Sequence, residues 1–387
     1  MATRKKEPEE HLTKQTVRDF DDFFVLVPAL NERSTIKSTI QLLLEDLKAL
    51  PVKTTLVVID DASDDGTGDI LRSLNYRDLK IISRHLPDAR KGKGLALDSA
   101  LVWINLLNLS PNRTIVGVID ADSSPNPTVL KDIYHGFTHS HYDLVQTGIQ
   151  IVHQKTFLLK MQSFEFQCAN YLAQVIRTDW GSGIASGNGQ FMTLKMTNEV
   201  QWGTSLLEDL QFSLKGLFKG YRGLFLSKTF MPQQGLTSYK ALVRQRTRWS
   251  QGGFECLFQY GRKIWKSHNI PSILKTDLLV FMLIPFLALF ISAESFLATA
   301  TMLVLIFIHP GTTISVVLVL VVTSALITAL MLKNAEKLQD KPIYNKKEEL
   351  AITFGNLIYI WVLTPVLYLA FVWMLVGRNN WTKTAHD

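Results

Sequence analysis

Hydrophobic positions fall along this chain in two regimes. Between residue 23 and about residue 255, short apolar runs alternate with mixed, helix-spaced segments, whereas beyond Leu278 they fuse into long uninterrupted stretches. In the first regime "FFVLVP" (23–28), "TLVVID" (55–60), "LKIIS" (79–83) and "TIVGVID" (114–120) read as buried strands, most of them running straight into a polar or acidic turn. Residues 34–50 and "GLALDSALVWINLL" (94–107) carry a helical pattern, and a further helix begins near Thr67. Buried runs alternating with helices predict an α/β domain built on a largely parallel sheet. In such sheets a ligand sits beyond the carboxyl ends of the strands.

The second regime consists of residues 278–308, whose only acid is Glu294, and of 313–332 and 350–376, which carry no charge. About 20 apolar residues suffice to cross a hydrocarbon core of ~30 Å. Three transmembrane helices are therefore expected after a large soluble head. The loop at 333–347 carries five lysines, which by the positive-inside rule puts it in the cytoplasm. With no apolar run near the N-terminus, the head is expected there too, making this a multi-pass cell-membrane protein with a cytoplasmic catalytic domain. Three crossings would leave the C-terminus outside. A fold-back near "SAES" (292–295) would make four, and is favoured by the cost of placing Glu294 at mid-bilayer. A partly interfacial last run, interrupted by Pro365, would also return the tail inside. Residues 1–22 offer little to bury and read as a mobile tail, 256–277 as a basic interfacial segment, and 377–387 as a C-terminal tail.

Charge and cysteine usage add little. The formal net charge is +7, yet no nucleic-acid partner is expected. Cys168 and Cys256 lack metal-ligand spacing and read as free thiols. His85, His135, His139 and His141 form no zinc-spaced set and read as surface residues.

The acids matter more. Asp60 and Asp61 end one strand and Asp120-x-Asp122 ends another, so several carboxylates converge on one sheet edge. They repel one another unless a cation or hydroxyl groups satisfy them. Asp120 and Asp122 can present oxygens to Mg²⁺ or Mn²⁺, leaving positions open for diphosphate oxygens. A lone Asp-x-Asp is more often a solvated turn, but here "IDDASDDGT" and "RKGKGLAL" (90–97) precede it in order. The latter, a glycine-flanked basic turn opening a helix, suits phosphate through its amides and Lys93. No GxxxxGK[ST] or GxGxxG follows the first strand, against a P-loop ATPase or a Rossmann dehydrogenase.

Taken together, "VPALNE", "VVIDDASDDGT", "GKGLAL" and "VIDADSS" resemble the nucleotide-sugar half of family 2 glycosyltransferases with the GT-A fold. "SGNGQFM" (186–192) looks like their acceptor-side glycine-rich segment, and "LLEDLQFSLKGLFKGYRG" (206–223) like their Glu-Asp motif. "QRTRW" (245–249) is similar to the Gln-x-x-Arg-Trp motif of the membrane-bound branch that includes cellulose, chitin and hyaluronan synthases, and "WTKTAHD" to the tail of many bacterial members.

The resemblance implies that Pro28, Ala29 and Glu32, with Asp60 or Asp61, hold the uracil and ribose of a UDP-sugar, and that Lys93 approaches the donor. Asp120 and Asp122 would hold the metal, Asp122 more directly. Asp209 would be the general base and Glu208 a positioning residue. Gln245, Arg248 and Trp249 would close over the diphosphate and the acceptor end. Leu207 and Ala62 stand where the family usually has Thr and Gly. A single displacement then inverts the anomeric centre, passing through an oxocarbenium-like transition state.

Three functions are consistent with this: synthesis of a β-linked polysaccharide, which would call on a membrane partner for export; single transfer to a membrane lipid such as diacylglycerol or a polyprenyl phosphate; or a scaffold without turnover. The retained acids argue against the last, and the Gln-x-x-Arg-Trp motif leans towards the first. On a helix, Gln245, Arg248 and Trp249 share a face, leaving Arg244 and Arg246 for lipid headgroups or acids. Arg246→Ala is accordingly expected to keep much more activity than Arg248→Ala.

Overall fold

The computed structural model describes residues 17–378. In chain order its elements are β1 (Asp22–Ala29), α1 (Ile36–Leu47), β2 (Lys53–Asp60), α2 (Thr67–Ser73), β3 (Leu79–Ser83), α3 (Lys93–Asn105), β4 (Thr114–Val118), α4 (Pro127–Thr138) and β5 (Leu144–Val152). There follow α5 (Phe157–Phe164), a π-helical segment (Glu165–Asn170), α6 (Tyr171–Asp179), β6 (Gln190–Thr193), α7 (Leu194–Val200), α8 (Glu208–Phe218) and β7 (Gly223–Gln234). Four long helices complete the chain: α9 (Tyr239–Lys266), α10 (Ser272–Ile308), α11 (Pro310–Gln339) and α12 (Lys346–Leu375).

The strands form one seven-stranded sheet in the order β3-β2-β1-β4-β6-β5-β7. Its first four strands are parallel, as are β5 and β7, while the short β6 runs antiparallel between β4 and β5. Alternation along β1 shows why the sheet is covered on both faces. Phe23, Val25 and Val27 enter one core with α1 and α4, and Phe24 and Leu26 enter another with α3. Strand order reverses at β1, so the crevice beyond the ends of β1 and β4 is the natural ligand site. This is the mixed α/β GT-A fold that the motifs implied.

Two boundaries differ from the sequence-based expectation. Residues 18–22 are tied to the domain, not tail-like: Phe20 is buried edge-on against Phe137, Arg18 pairs with Asp143 at 3.3 Å, and Asp22 already belongs to β1. Residues 1–16 lie outside the described range, as does the "WTKTAHD" tail. The turn expected at 292–295 does not form either. The helix α10 runs through "SAES" unbroken, because the small and polar side chains there are compatible with helix and Ser292 and Ser295 bond back to carbonyls of their own helix. Three helices, α10, α11 and α12, are long and apolar enough to cross a membrane. Cys168 and Cys256 are buried free thiols, and the four histidines singled out above are exposed.

Candidate active site

The crevice lies where several chain segments meet. The ends of β1 and β2 contribute Pro28, Ala29, Glu32 and Asp61, and the first turn of α3 contributes Lys93. The turn after β4 contributes Asp120 and Asp122, and the loop 186–188 lies opposite them. The start of α8 supplies Glu208 and Asp209, and α9 closes the cavity with Gln245, Arg248 and Trp249. Every candidate residue from the sequence is therefore brought to one cavity except Asp60. Its buried carboxylate accepts from the Ser63 amide at 3.0 Å and shapes the turn instead.

Asp61 faces the cavity with its carboxylate held by the Arg84 guanidinium and by the Arg90 amide at 3.0 Å. Ala62 has φ of 63°, the left-handed region that favours glycine, which explains why the family usually places glycine there. Its carbonyl is anchored by Arg90 Nε at 3.0 Å.

Lys93 is the electrostatic hub. Its Nζ lies 2.5 Å from Asp120 Oδ1 and donates to the Gly187 carbonyl at 2.9 Å. Burial works to lower its pKa, but the charges of Asp120, Glu208 and Asp209 outweigh that, and the net direction is upward. Asp122 shows the opposite balance. Burial, then the charges of Asp120 and Glu32, push its carboxyl up to about 8. Asp209 is pushed up to about 7 by burial and by Glu208, against the stabilising pull of the Leu210 amide, Lys93 and Arg248. Gly187 makes room for it: φ is 81°, and a Cβ here would sit 3.1 Å from Asp209 Oδ2.

Could this acid group hold a divalent cation? Asp120 and Asp122 line the cavity together, and the charge of Asp120 helps to raise the Asp122 carboxyl, a repulsion that Lys93 offsets only in part and that a cation would reduce further. Two carboxylates plus diphosphate oxygens form an oxygen set suited to Mg²⁺ or Mn²⁺. The residues fit such an ion, although among the described residues no set of three His, Cys, Asp or Glu side chains gathers into a ready-made cage.

Of the two partners expected for Arg246, lipid headgroups or acids, it takes an acid. It is buried, its Nη2 lies 2.5 Å from Glu165 Oε2, and its guanidinium stacks 4.2 Å from the Trp249 ring centroid. It also bonds the Gln245 side chain. Arg244 is exposed. Helical spacing correctly grouped 245, 248 and 249, but it could not show that Glu165 would descend on the opposite flank.

Residues the sequence did not single out include Asn188, whose Oδ1 accepts from the Asp120 amide at 3.1 Å while its Nδ2 donates to Ser123 and Gln233 at 2.7 and 2.9 Å. Gln146 and Gln174 hold the same loop through Asn188 and Ser186. Phe166, on the π-helical segment, packs edge-on to Trp249. Such segments are frequent at functional sites. Asn188 sits in the quoted "SGNGQFM", which was the one available signal. Leu207, in the position usually held by Thr, gives α8 no side-chain cap and lines the cavity.

Residues 115–376 match glycosyl transferase family group 2, and residues 24–197 match glycosyl transferase family 2. Beta-monoglucosyldiacylglycerol synthase of Synechocystis is 27% identical over 274 residues, which is 68% of this chain and 54% of that protein. Poly-beta-1,6-N-acetyl-D-glucosamine synthase of Staphylococcus aureus is 25% identical over 266 residues, 66% of this chain and 60% of that one. The chain thus spans little more than half the length of these relatives. Among solved structures, the mannosyltransferase PcManGT from Pyrobaculum calidifontis, determined with GDP-Man and Mn²⁺, superposes with a TM-score of 0.54 at 17% identity, covering 95% of this chain and 93% of that one. That likeness concerns the fold. With the family match extending over most of the chain, from β4 into the last apolar helix, the protein belongs to glycosyl transferase family group 2.

Proposed function

We propose that the chain is an inverting hexosyltransferase that moves a hexose or N-acetylhexosamine from a UDP-sugar to a hydroxyl group of a membrane lipid. The observation that carries the transfer reaction is the convergence of a buried, proton-hungry Asp209 with Lys93 and Arg248 in one crevice at the strand ends. A base with a pKa near 7 is part-ionised at neutral pH and still strong enough to take a hydroxyl proton. Asp209 accepts that proton as the acceptor oxygen bonds to C1, while the bond from C1 to the diphosphate oxygen breaks and its electron pair leaves with UDP. Displacement from the opposite face inverts the anomer. Arg248 and Lys93 face the departing negative charge, and Pro28, Ala29, Glu32 and Asp61 line the end suited to the nucleoside. Mg²⁺ or Mn²⁺ held by Asp120 and Asp122 would supply Lewis-acid neutralisation of the diphosphate.

The acceptor assignment is supported by the wall formed by Phe166, Leu206, Leu207 and Trp249, next to the helices that carry the apolar runs. It is also supported by the named activity of the cyanobacterial relative. Polysaccharide synthesis is the second reading, favoured by Gln245, Arg248 and Trp249 closing the cavity as the Gln-x-x-Arg-Trp branch would have them. In both readings residues 23–255 form a cytoplasmic catalytic domain, and 256–277 an interfacial segment displaying Phe258, Arg262, Trp265 and Lys266. Residues 278–376 supply the membrane helices.

The test is to incubate detergent-solubilised protein with a panel of radiolabelled UDP-sugars, with Mg²⁺, Mn²⁺ or chelator. One donor should be consumed only with the metal, and not by Asp209→Asn. Consumption of no donor, or equal turnover by Asp209→Asn, contradicts the assignment.

A further inference from the structure

We propose that α12, the last apolar helix, lies flat along the head with one face on the membrane surface and does not cross the bilayer, so that both of its ends stay on the head's side. This concerns placement in the membrane and holds whatever the acceptor is.

The helix touches the head along its whole length. At its start Glu348 pairs with Lys160 of α5 at 3.1 Å, and just before it Tyr344 shares a 2.6 Å hydrogen bond with Ser163. Two turns further on, Gly355 packs so closely on Phe157 that a Cβ there would sit 2.6 Å from its ring. In the middle, the Val362 carbonyl accepts from Tyr239 at 2.7 Å. Near its end, Ala370 and Phe371 pack on Phe254 of α9, and the Arg378 carbonyl accepts from Gln251 at 3.0 Å. From Glu348 to its end at Leu375 the helix rises about 40 Å. A crossing helix would carry its far end through a core of ~30 Å to the opposite headgroups, where a head confined to one side could not reach it.

The contact pattern agrees. Ile352, Gly355, Tyr359, Val366 and Ala370 form a buried stripe, while Leu350, Phe354, Ile358, Trp361, Val372 and Leu375 form an exposed apolar one. Exposed Lys346, Lys347 and Arg378 stand at its two ends. An apolar stripe with cations beside it suits the boundary between acyl chains and anionic headgroups. The first half of α10 behaves alike, since Leu274, Leu278 and Met282 are buried against α8 and α9.

Contact with α12 continues to Ser292, which meets Tyr368, and to Phe296, which meets Trp361. Glu294, exposed between them, falls where α10 leaves this platform. The two legs beyond it, 295–308 and 310–327, reach about 21 and 27 Å, so the α10–α11 hairpin is the anchor.

The test uses single-cysteine probes in protein reconstituted into sealed vesicles of phosphatidylcholine and phosphatidylglycerol, selected for the head facing outward. Lys347→Cys reports the start of α12, and Arg378→Cys and, independently, Val376→Cys report its end. Cys168 and Cys256 are buried, and the parent protein provides the background. An impermeant maleimide should label all three sites without detergent, Arg378→Cys within about threefold of the rate at Lys347→Cys. Labelling at 376 and 378 only after permeabilisation overturns the proposal, as does protection of all three sites.

Discussion

Replacing Arg246 by Met removes a guanidinium held between the Glu165 carboxylate at 2.5 Å and the Trp249 ring at 4.2 Å. The arginine side chain is 9% exposed and its partner 28%, so the loss falls between the 3–5 kcal/mol of a broken buried pair and the ~0–1 kcal/mol of a surface pair. Adding about 1 kcal/mol for the cation–π contact gives roughly 2–3 kcal/mol. Much of this should appear as misplacement of Trp249, because the same guanidinium also bonds Gln245 and lies 5.7 Å from the Phe166 ring centroid. If 2 kcal/mol is lost from the transition state, kcat/KM falls about 30-fold. The assay is initial-rate UDP release with donor and acceptor varied separately, alongside tryptophan emission and thermal unfolding. The acceptor KM should rise more than the donor KM, the emission should shift, and Arg246→Lys should recover only part of the loss. Activity within twofold of wild type, with unchanged emission and unfolding temperature, would refute the clamp and leave only the sequence-based expectation that Arg246 matters much less than Arg248.

Other substitutions probe the crevice itself. Asp209→Asn should lower kcat by at least 10³-fold while UDP still binds, as isothermal titration would report. Because the base must be ionised, kcat/KM in the wild-type protein should fall as pH drops through about 7, and the absence of an acid limb would remove Asp209 from that role. The raised carboxyl of Asp122, at about 8, means that protons compete with a cation, so the rise in unfolding temperature given by Mn²⁺ should grow from pH 6 to pH 8. A pH-independent rise would place the ion elsewhere. Ala62→Gly should relieve the left-handed strain and stabilise the fold by up to about 1 kcal/mol, with activity unchanged, as thermal unfolding can check. Gly187→Ala, at φ of 81° and facing Asp209, should cost about 1–2 kcal/mol and much of the activity.

The strands and the acids at their ends were legible because the signal is local. Continuous apolar runs mark strands buried on both faces, and polar residues mark their exits. The grouping of Gln245, Arg248 and Trp249 was legible for the same reason, since helical periodicity alone puts them on one face. What sequence could not supply were contacts between distant segments. Glu165 claims Arg246 across 81 positions, Asn188 braces the Asp120 amide, and Phe20 joins the core from what looked like a tail. The expected turn at Glu294 failed because an acid inside an apolar run is equally compatible with a helix leaving the protein surface. The length of α12 allowed a crossing or an interfacial helix, and the contacts at both of its ends, which favour the second, join segments far apart in sequence.

The chemical form of the product distinguishes single, inverting transfer to a membrane lipid from polymer synthesis. Reconstituted protein supplied with the radiolabelled UDP-sugar it consumes, Mn²⁺ and lipid vesicles should move label into the organic phase as a β-linked single-sugar lipid. Label in a ladder or high polymer, or an α-linked product, would contradict single, inverting transfer.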